Sequence, residues 1–254
     1  MRTTIDLNCD LGESYGAWRM GDDEAVLPLI SSANVACGFH GGDAAVMRRT
    51  VKLARAHGVA IGAHVSLQDL QGFGRREMRI SADEAYELTL YQLGALHAFA
   101  RAEGARVAHV KPHGALYNMA ARDAALAAGI AAAVHDFDPA LVLYGLAGSA
   151  LPAAGVARGL VVAHEAFCDR AYESDGSLAS RSLPGAVLDE RAAAAAQLLA
   201  LVRDQAVNAR DGSRVAIRCD SICLHGDRPD AADVARHLRA VLATVGVSVA
   251  PPRA

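Results

Sequence analysis

The stretch Ile5-Asp-Leu-Asn-Cys-Asp-Leu-Gly-Glu-Ser14 decides how the chain is read. Apolar and polar side chains alternate from Ile5 to Leu11 with the period of a β-strand, and the strand ends in a loop carrying Asp10, Glu13 and Ser14. Acidic groups just past the carboxyl end of a strand are costly unless they bind something.

The same design recurs along the chain. Strand-like runs fall at about 4–8, 32–37, 59–64, 107–111, 141–144, 160–164 and 215–224. Helical patterns follow most of them, over 44–57, 81–103, 123–135, 149–157, 188–208 and 229–245. Ser81-Ala-Asp-Glu84 is a capping box, and Gly58, Gly104 and Gly246 stand just beyond three of the helix ends. Strands alternating with helices imply parallel strands joined by right-handed crossovers. The expected fold is α/β: an incomplete, TIM-like (β/α)7 barrel over residues 1–254, with an open doubly wound sheet as the alternative. Residues 166–187 lack clear periodicity and carry charges of both signs, as a functional loop or a mobile lid over the barrel mouth would.

Composition narrows the function. The 254 residues suffice for one large barrel, and 52% apolar content supplies its core. A formal net charge of −3 with no basic tract disfavours nucleic acid and anionic membrane as partners. No apolar run reaches the roughly 18 residues that span a bilayer, and the amino terminus lacks a signal-peptide pattern. Five scattered cysteines make a poor disulfide framework and fit buried thiols in a reducing cytosol, so a cytoplasmic location is expected. Cys219 and Cys223 have no second pair with which to complete a zinc site.

Ionisable residues collect at one end of the expected barrel. Asp10 and Glu13 follow the first strand, and His40 and Asp43 the second. His64 ends the third, Lys111 and His113 the fourth, His164 and Glu165 the sixth, His225 and Asp227 the seventh. This is the face on which α/β barrels build active sites. One such histidine alone could be structural; their joint placement points to catalysis. His57, His97, His135 and His237 lie on helices and are read as surface or packing residues. His109 lies inside the fourth strand and is expected to face away from the barrel axis, its role undecided. In Leu70-Gln-Gly-Phe-Gly-Arg-Arg76 the glycines would let the backbone approach an anion that Arg75 or Arg76 grips. Asp10, His40 and His64 could together hold zinc or a similar ion, although their long spacing fixes no geometry.

Several long motifs occur in order: IDLNCDLGE at 5–13, NVACGFHGGD at 34–43, GFGRR at 72–76, VKPHGALYN at 110–118, DRAYESDGSLASR at 169–181 and SICLHGD at 221–227. With them the chain resembles the LamB/YcsF family essentially end to end. It departs from the family pattern at Ala44, where a proline is usual, and at Val65-Ser-Leu-Gln-Asp69, usually richer in proline. The resemblance implies a seven-stranded barrel akin to glycoside hydrolases and polysaccharide deacetylases. It also implies ATP-dependent opening of 5-oxoproline (pyroglutamate) to L-glutamate, with two partner subunits, B and C, of a three-subunit 5-oxoprolinase. The deacetylase kinship favours the Asp10/His40/His64 metal idea, but the chain lacks the closely spaced histidine pair of those enzymes.

A lactam is resonance-stabilised, and phosphorylating its carbonyl oxygen makes that oxygen a good leaving group once water attacks. The sequence has no Gly-x-x-x-x-Gly-Lys-Ser/Thr loop, so ATP, with Mg²⁺, is expected mainly on the partner subunits. Asp10 or Glu13 is expected to activate water, His40, His64 or His113 to pass protons, and Lys111 with Arg75 to stabilise developing negative charge. Asp43, Arg75, Arg76, Asn118, Glu165, Asp169, Arg170, Asp175, Ser177, Arg181, His225 and Asp227 are the expected substrate contacts. Two rival readings remain: a stand-alone metal-dependent amidase or deacetylase, and a non-catalytic lactam-binding subunit.

Overall fold

The computed structural model describes residues 3–180, 183–188, 190–227 and 229–252. Six strands, β1 (Thr4–Leu11), β2 (Ser32–Ala36), β3 (Ala60–Val65), β4 (Val107–Pro112), β5 (Val142–Leu146) and β6 (Val161–Ala166), lie side by side in sequence order. A small antiparallel hairpin, β7 (Ala206–Asn208) and β8 (Arg214–Ala216), precedes the seventh barrel strand, β9 (Ser221–His225). β9 pairs in parallel with both β6 and β1, setting Asp6 opposite Ser221 and Asp10 opposite His225. That last pairing closes the ring and rules out the open sheet. β10 (Ser248–Val249) adds a short parallel pairing at the start of β1.

The helices are α1 (Asp23–Val26), α2 (Ala44–Ala56), α3 (Ala82–Ala102), α4 (Gly114–Arg122), α5 (Ala124–Phe137), α6 (Ala150–Ala157), α7 (Arg191–Asp204) and α8 (Ala231–Thr244). The Ser81–Glu84 capping box forms as its spacing predicts and opens α3. Two expectations need correction. The strand expected over 215–224 is two strands, because β8 folds back on β7 outside the barrel before β9 begins. The helix expected to run to Asn208 stops at Asp204, where Gln205 adopts a left-handed φ of 51°. Among the described residues no helix is long and apolar enough to cross a membrane.

The alternation in β1 has an unusual sense. Ile5, Leu7, Cys9 and Leu11 join the apolar layer under the helices. Asp6, Asn8 and Asp10 point into the barrel, where most α/β barrels stack branched apolar side chains. Asp6 accepts from the hydroxyls of Ser31, Ser32, Tyr144 and Ser221. One layer higher, Asn8 donates to Glu165 and Ser221 and accepts from Asn34 and Lys111. The barrel interior is thus a satisfied hydrogen-bond network, which fixes side-chain positions more narrowly than apolar packing does.

His109 belongs to this network, contrary to the expectation that it faces outward. Its Nε2 donates to Asn34 Oδ1 at 2.8 Å, and its ring lies 4.5 Å from that of Tyr144. Burial, followed by the nearby Lys111 charge, lowers its pKa to about 3, so it packs as a neutral ring. Gly62 on β3 makes room for it, since a Cβ there would land on the His109 ring. Gly62→Ala should therefore lose about 1–3 kcal/mol through overpacking, read as a lower urea midpoint at an unchanged slope.

Candidate active site

The polar column rises to a buried cation at the carboxyl end of the barrel. Lys111 Nζ lies 3.0 Å from Asp10 Oδ1, 2.7 Å from Glu165 Oε1, 3.0 Å from Asn8 Oδ1 and 3.0 Å from Cys223 Sγ. Burial works against its charge, but Asp10 and Glu165 outweigh that and hold the ammonium pKa well above the ordinary lysine value. Glu165, itself fully buried, also accepts from Asn8 Nδ2 at 2.9 Å and Tyr117 Oη at 2.6 Å. Asp10 accepts from Asn34 Nδ2 at 2.9 Å and lies 3.4 Å from His64 Nε2. Burial would raise its carboxyl, yet His64 and Lys111 hold it well below the usual carboxylate range.

Beside this column three imidazoles meet one carboxylate. His40 stacks on His113 at 3.8 Å and 5°, and His64 meets both rings edge-on. Glu13 Oε1 lies 3.2 Å from His40 Nε2 and 3.7 Å from His113 Nδ1. Burial, then repulsion from Asp10, raises the Glu13 carboxyl well above its ordinary value. Burial, then the neighbouring rings, keeps His40 neutral and brings His113 to about 3. One ligand atom from each of Glu13, His40, His64 and His113 fits within 4.8 Å of the others. The convergent set therefore differs from the expected Asp10/His40/His64 trio: Asp10 turns towards Lys111, and Glu13 and His113 complete the cluster.

The Gly72-Phe-Gly-Arg-Arg76 loop positions this cluster more than it binds an anion. Gly74, at φ 64°, comes so close that a Cβ would sit 2.9 Å from both the His113 ring and His40 Cβ. Phe73 holds a left-handed φ of 55°, which costs a non-glycine residue on the order of 1–3 kcal/mol. That conformation turns its carbonyl to accept from His113 Nε2 at 2.8 Å. Arg76 pairs with Asp69 on the outside and is not part of the cavity wall, which corrects its expected binding role. Arg75 does reach the mouth, with its guanidinium 4.9 Å above the Phe73 ring and 2.9 Å from Asp227.

Above these groups opens a cavity of about 690 Å³. Asp10, Glu13, His64, Lys111, His113 and Glu165 form its inner end, and His40 supports it from beneath His113. Arg75, Asn118, Arg170, Asp175, Ser177, His225 and Asp227 line its walls and rim. Residues between Phe167 and Ser180 supply one wall. There Tyr172 is fully buried with its hydroxyl accepting from the Phe167 amide, and Arg170 donates to the Ala179 and Ala186 carbonyls.

Two further expected contacts lie elsewhere. Asp43 is the N-cap of α2, accepting from the amides of Ala45 and Val46 and from Gly16. Asp169 is not on the cavity wall; it lies 3.3 Å from His225 Nδ1 and orients that ring. Arg181 lies outside the described residues. Asn8, Asn34, Tyr117 and Cys223 are contacts that their sequence positions did not single out. Asn8 could have been found as the inward neighbour of Asp10 at period two, and Tyr117 as the residue one helical turn beyond His113.

The LamB/YcsF family pattern matches residues 5–254. The A-subunit of 5-oxoprolinase from Bordetella pertussis is 58% identical over 249 residues, covering 98% of this chain and 99% of that protein. Its counterpart in Symbiobacterium thermophilum is 57% identical over 250 residues, covering 98% and 96%. The crystal structure of a lactam utilization protein from Thermus thermophilus superposes with a TM-score of 0.93 at 50% identity, covering 97% of this chain and 99% of that one. On pattern, sequence and fold together, the chain belongs to the LamB/YcsF family.

Proposed function

We propose that the chain is the lactam-handling subunit of an ATP-dependent 5-oxoprolinase, opening 5-oxo-L-proline to L-glutamate together with partner subunits B and C. The observation that carries this reading is the buried Lys111 held between Asp10 and Glu165 at the inner end of a large polar cavity. The names of relatives at 57–58% identity over nearly their whole length supply the substrate. The absence of a phosphate-binding Gly-rich loop from the sequence supports placing ATP and Mg²⁺ mainly on the partners. A cytoplasmic setting suits five cysteines among which the described residues form no disulfide.

The chemistry follows from the charges. Phosphoryl transfer from ATP to the lactam oxygen makes the ring carbon a strong electrophile. Water adds to that carbon, the C–N bond breaks, and the nitrogen leaves with a proton. The resulting acyl phosphate is hydrolysed by a second water to glutamate and inorganic phosphate. Asp10, held fully ionised, is a weak base; it orients water while the phosphoryl group supplies the activation. Lys111, through its fixed ammonium, and Arg75, braced by Asp227 and Phe73, stabilise the negative charge that develops.

The test is glutamate release from 5-oxoproline and ATP, with and without the partner subunits. Glutamate only in the complete mixture supports the reading. Partners that work equally well without this chain would leave it a binding role at most, and release by this chain alone without ATP would favour the amidase.

A further inference from the structure

Two histidine rings at the inner end of the cavity bring one nitrogen each to within 3.0 Å of the other. His64 Nδ1 lies 2.9 Å from the Lys111 carbonyl oxygen, and His113 Nε2 lies 2.8 Å from that of Phe73. A carbonyl only accepts, so each of these nitrogens carries a hydrogen. The remaining nitrogens, His64 Nε2 and His113 Nδ1, stand 3.0 Å apart. Two such nitrogens at that distance are joined either by a shared proton or by a metal ion.

Glu13 supplies a third donor. Glu13 Oε1 lies 3.2 Å from His40 Nε2 and 3.7 Å from His113 Nδ1. The His64–His113 and Glu13–His113 separations, 3.0 and 3.7 Å, bracket the roughly 3.3 Å spacing of ligands on a tetrahedral ion with bonds of about 2.0–2.1 Å. Two of the rings donate their far N–H to backbone carbonyls, the outer support that fixes metal-binding imidazoles. His40, stacked face to face on His113 at 5°, aims its nitrogens parallel to that ring rather than towards a common ion, so it backs the site and does not ligate. All four residues are buried, while Glu13, His64 and His113 also border the cavity, so an ion among them would be reachable from it.

We propose that Glu13, His64 and His113 bind one divalent transition-metal ion, zinc or a chemically similar one, at the inner end of the cavity, with His40 stacked behind His113. Two imidazoles and a carboxylate are donors that suit such an ion and leave a position open. Asp10 stays outside the set, its Oδ1 paired with Lys111 and its Oδ2 3.4 Å from His64 Nε2. A bound ion would supply carbonyl polarisation or an acidified water. Its catalytic use rests on the lactam reading; its binding does not.

The test is metal content and uptake. The purified chain, stripped with chelator, should take up one equivalent of Zn²⁺ or Co²⁺, and the cobalt form should show visible ligand-field bands of a low-symmetry nitrogen–oxygen site. His113→Ala and Glu13→Gln should each weaken uptake by about tenfold or more. His164→Asn, on β6 outside the cluster, should leave it unchanged. Histidine ¹⁵N spectra of the wild type keep the test independent of whether a variant folds, because His64 Nε2 and His113 Nδ1 should both shift on zinc addition. No uptake at micromolar metal by the folded wild type overturns the site, as does a proton still shared between those two nitrogens in excess zinc. Full-rate glutamate release from a chain that takes up no ion overturns the site while leaving the lactam reading standing. Stoichiometric binding without glutamate release in the complete mixture does the reverse.

Discussion

Lys111→Met is expected to be the most damaging single substitution in this chain, unfolding it more easily and silencing it. The methionine fills nearly the same volume but leaves Asp10 and Glu165 buried without their shared counter-ion. Removing one partner from a buried ion pair costs about 3–5 kcal/mol. Urea unfolding in neutral solution should show that loss. The deficit should shrink in mildly acid solution. In the variant a stranded carboxylate has its folded pKa raised, so its contribution is present below the unfolded value and lost as pH rises through the folded one. Glutamate release by the reconstituted assembly should fall by about 10²–10³-fold even where the variant is folded, the range for losing one preorganised charge donor. A variant as stable and active as the wild type would remove Lys111 from the centre of the site.

Much of this architecture is legible in the sequence, for specific reasons. Strand–helix alternation carries the barrel, because each parallel strand needs a crossover and each crossover helix leaves its own periodic stripe. The Ser81–Glu84 box and the glycines after the helices mark boundaries through local hydrogen bonding, which tertiary context leaves alone. What escaped was settled by tertiary contacts. The α4 helix begins immediately after β4, turned by Gly114 at φ 55°, and Pro112 with Gly114 reads locally as a loop. The β7–β8 hairpin hides within an alanine-rich helical pattern and a longer strand-like run. Alternation in β1 shows two faces but not which one turns inward, so the polar interior became visible only through cross-barrel partners such as Ser221 and Tyr144.

The site divides in the same way. Residues at strand ends were legible, since topology alone gathers them on one face: Asp10, Glu13, His64, Lys111, His113 and Glu165 do meet. Pairings within that ring were not legible, because they depend on rotamers. Glu13 rather than Asp10 turns to the histidines, while Asp10 takes Lys111. Asp43 shows the opposite failing. It stands at the start of a clear helical pattern, where an aspartate is more often a cap than a ligand contact, and the cap is what forms. Arg76 and Asp69 are seven residues apart in a loop, a separation from which no periodic rule predicts pairing.

Asp10→Asn separates chemistry from stability where Lys111→Met combines them. The asparagine Oδ1 can still accept from Lys111 Nζ and Asn34 Nδ2, both about 3 Å from the present carboxylate oxygen. Lys111 also keeps Glu165 as counter-ion, so the fold should lose no more than about 1–2 kcal/mol, the scale of weakening one charged hydrogen bond. The negative charge on the cavity-facing Oδ2 is gone, however, and an amide N–H₂ there donates where a water proton must be accepted. Glutamate release should therefore fall by about 10²-fold, the scale of losing a group that positions a reactant rather than one that takes its proton. The loss should appear in kcat rather than KM, because a group that acts on the attacking water contributes little to holding the lactam. Metal uptake should match the wild type, since Asp10 is not among the proposed ligands. Full activity in Asp10→Asn would show that water is oriented elsewhere in the ring. A loss of activity that tracked a loss of metal would instead make Asp10 a ligand and redraw the cluster around it.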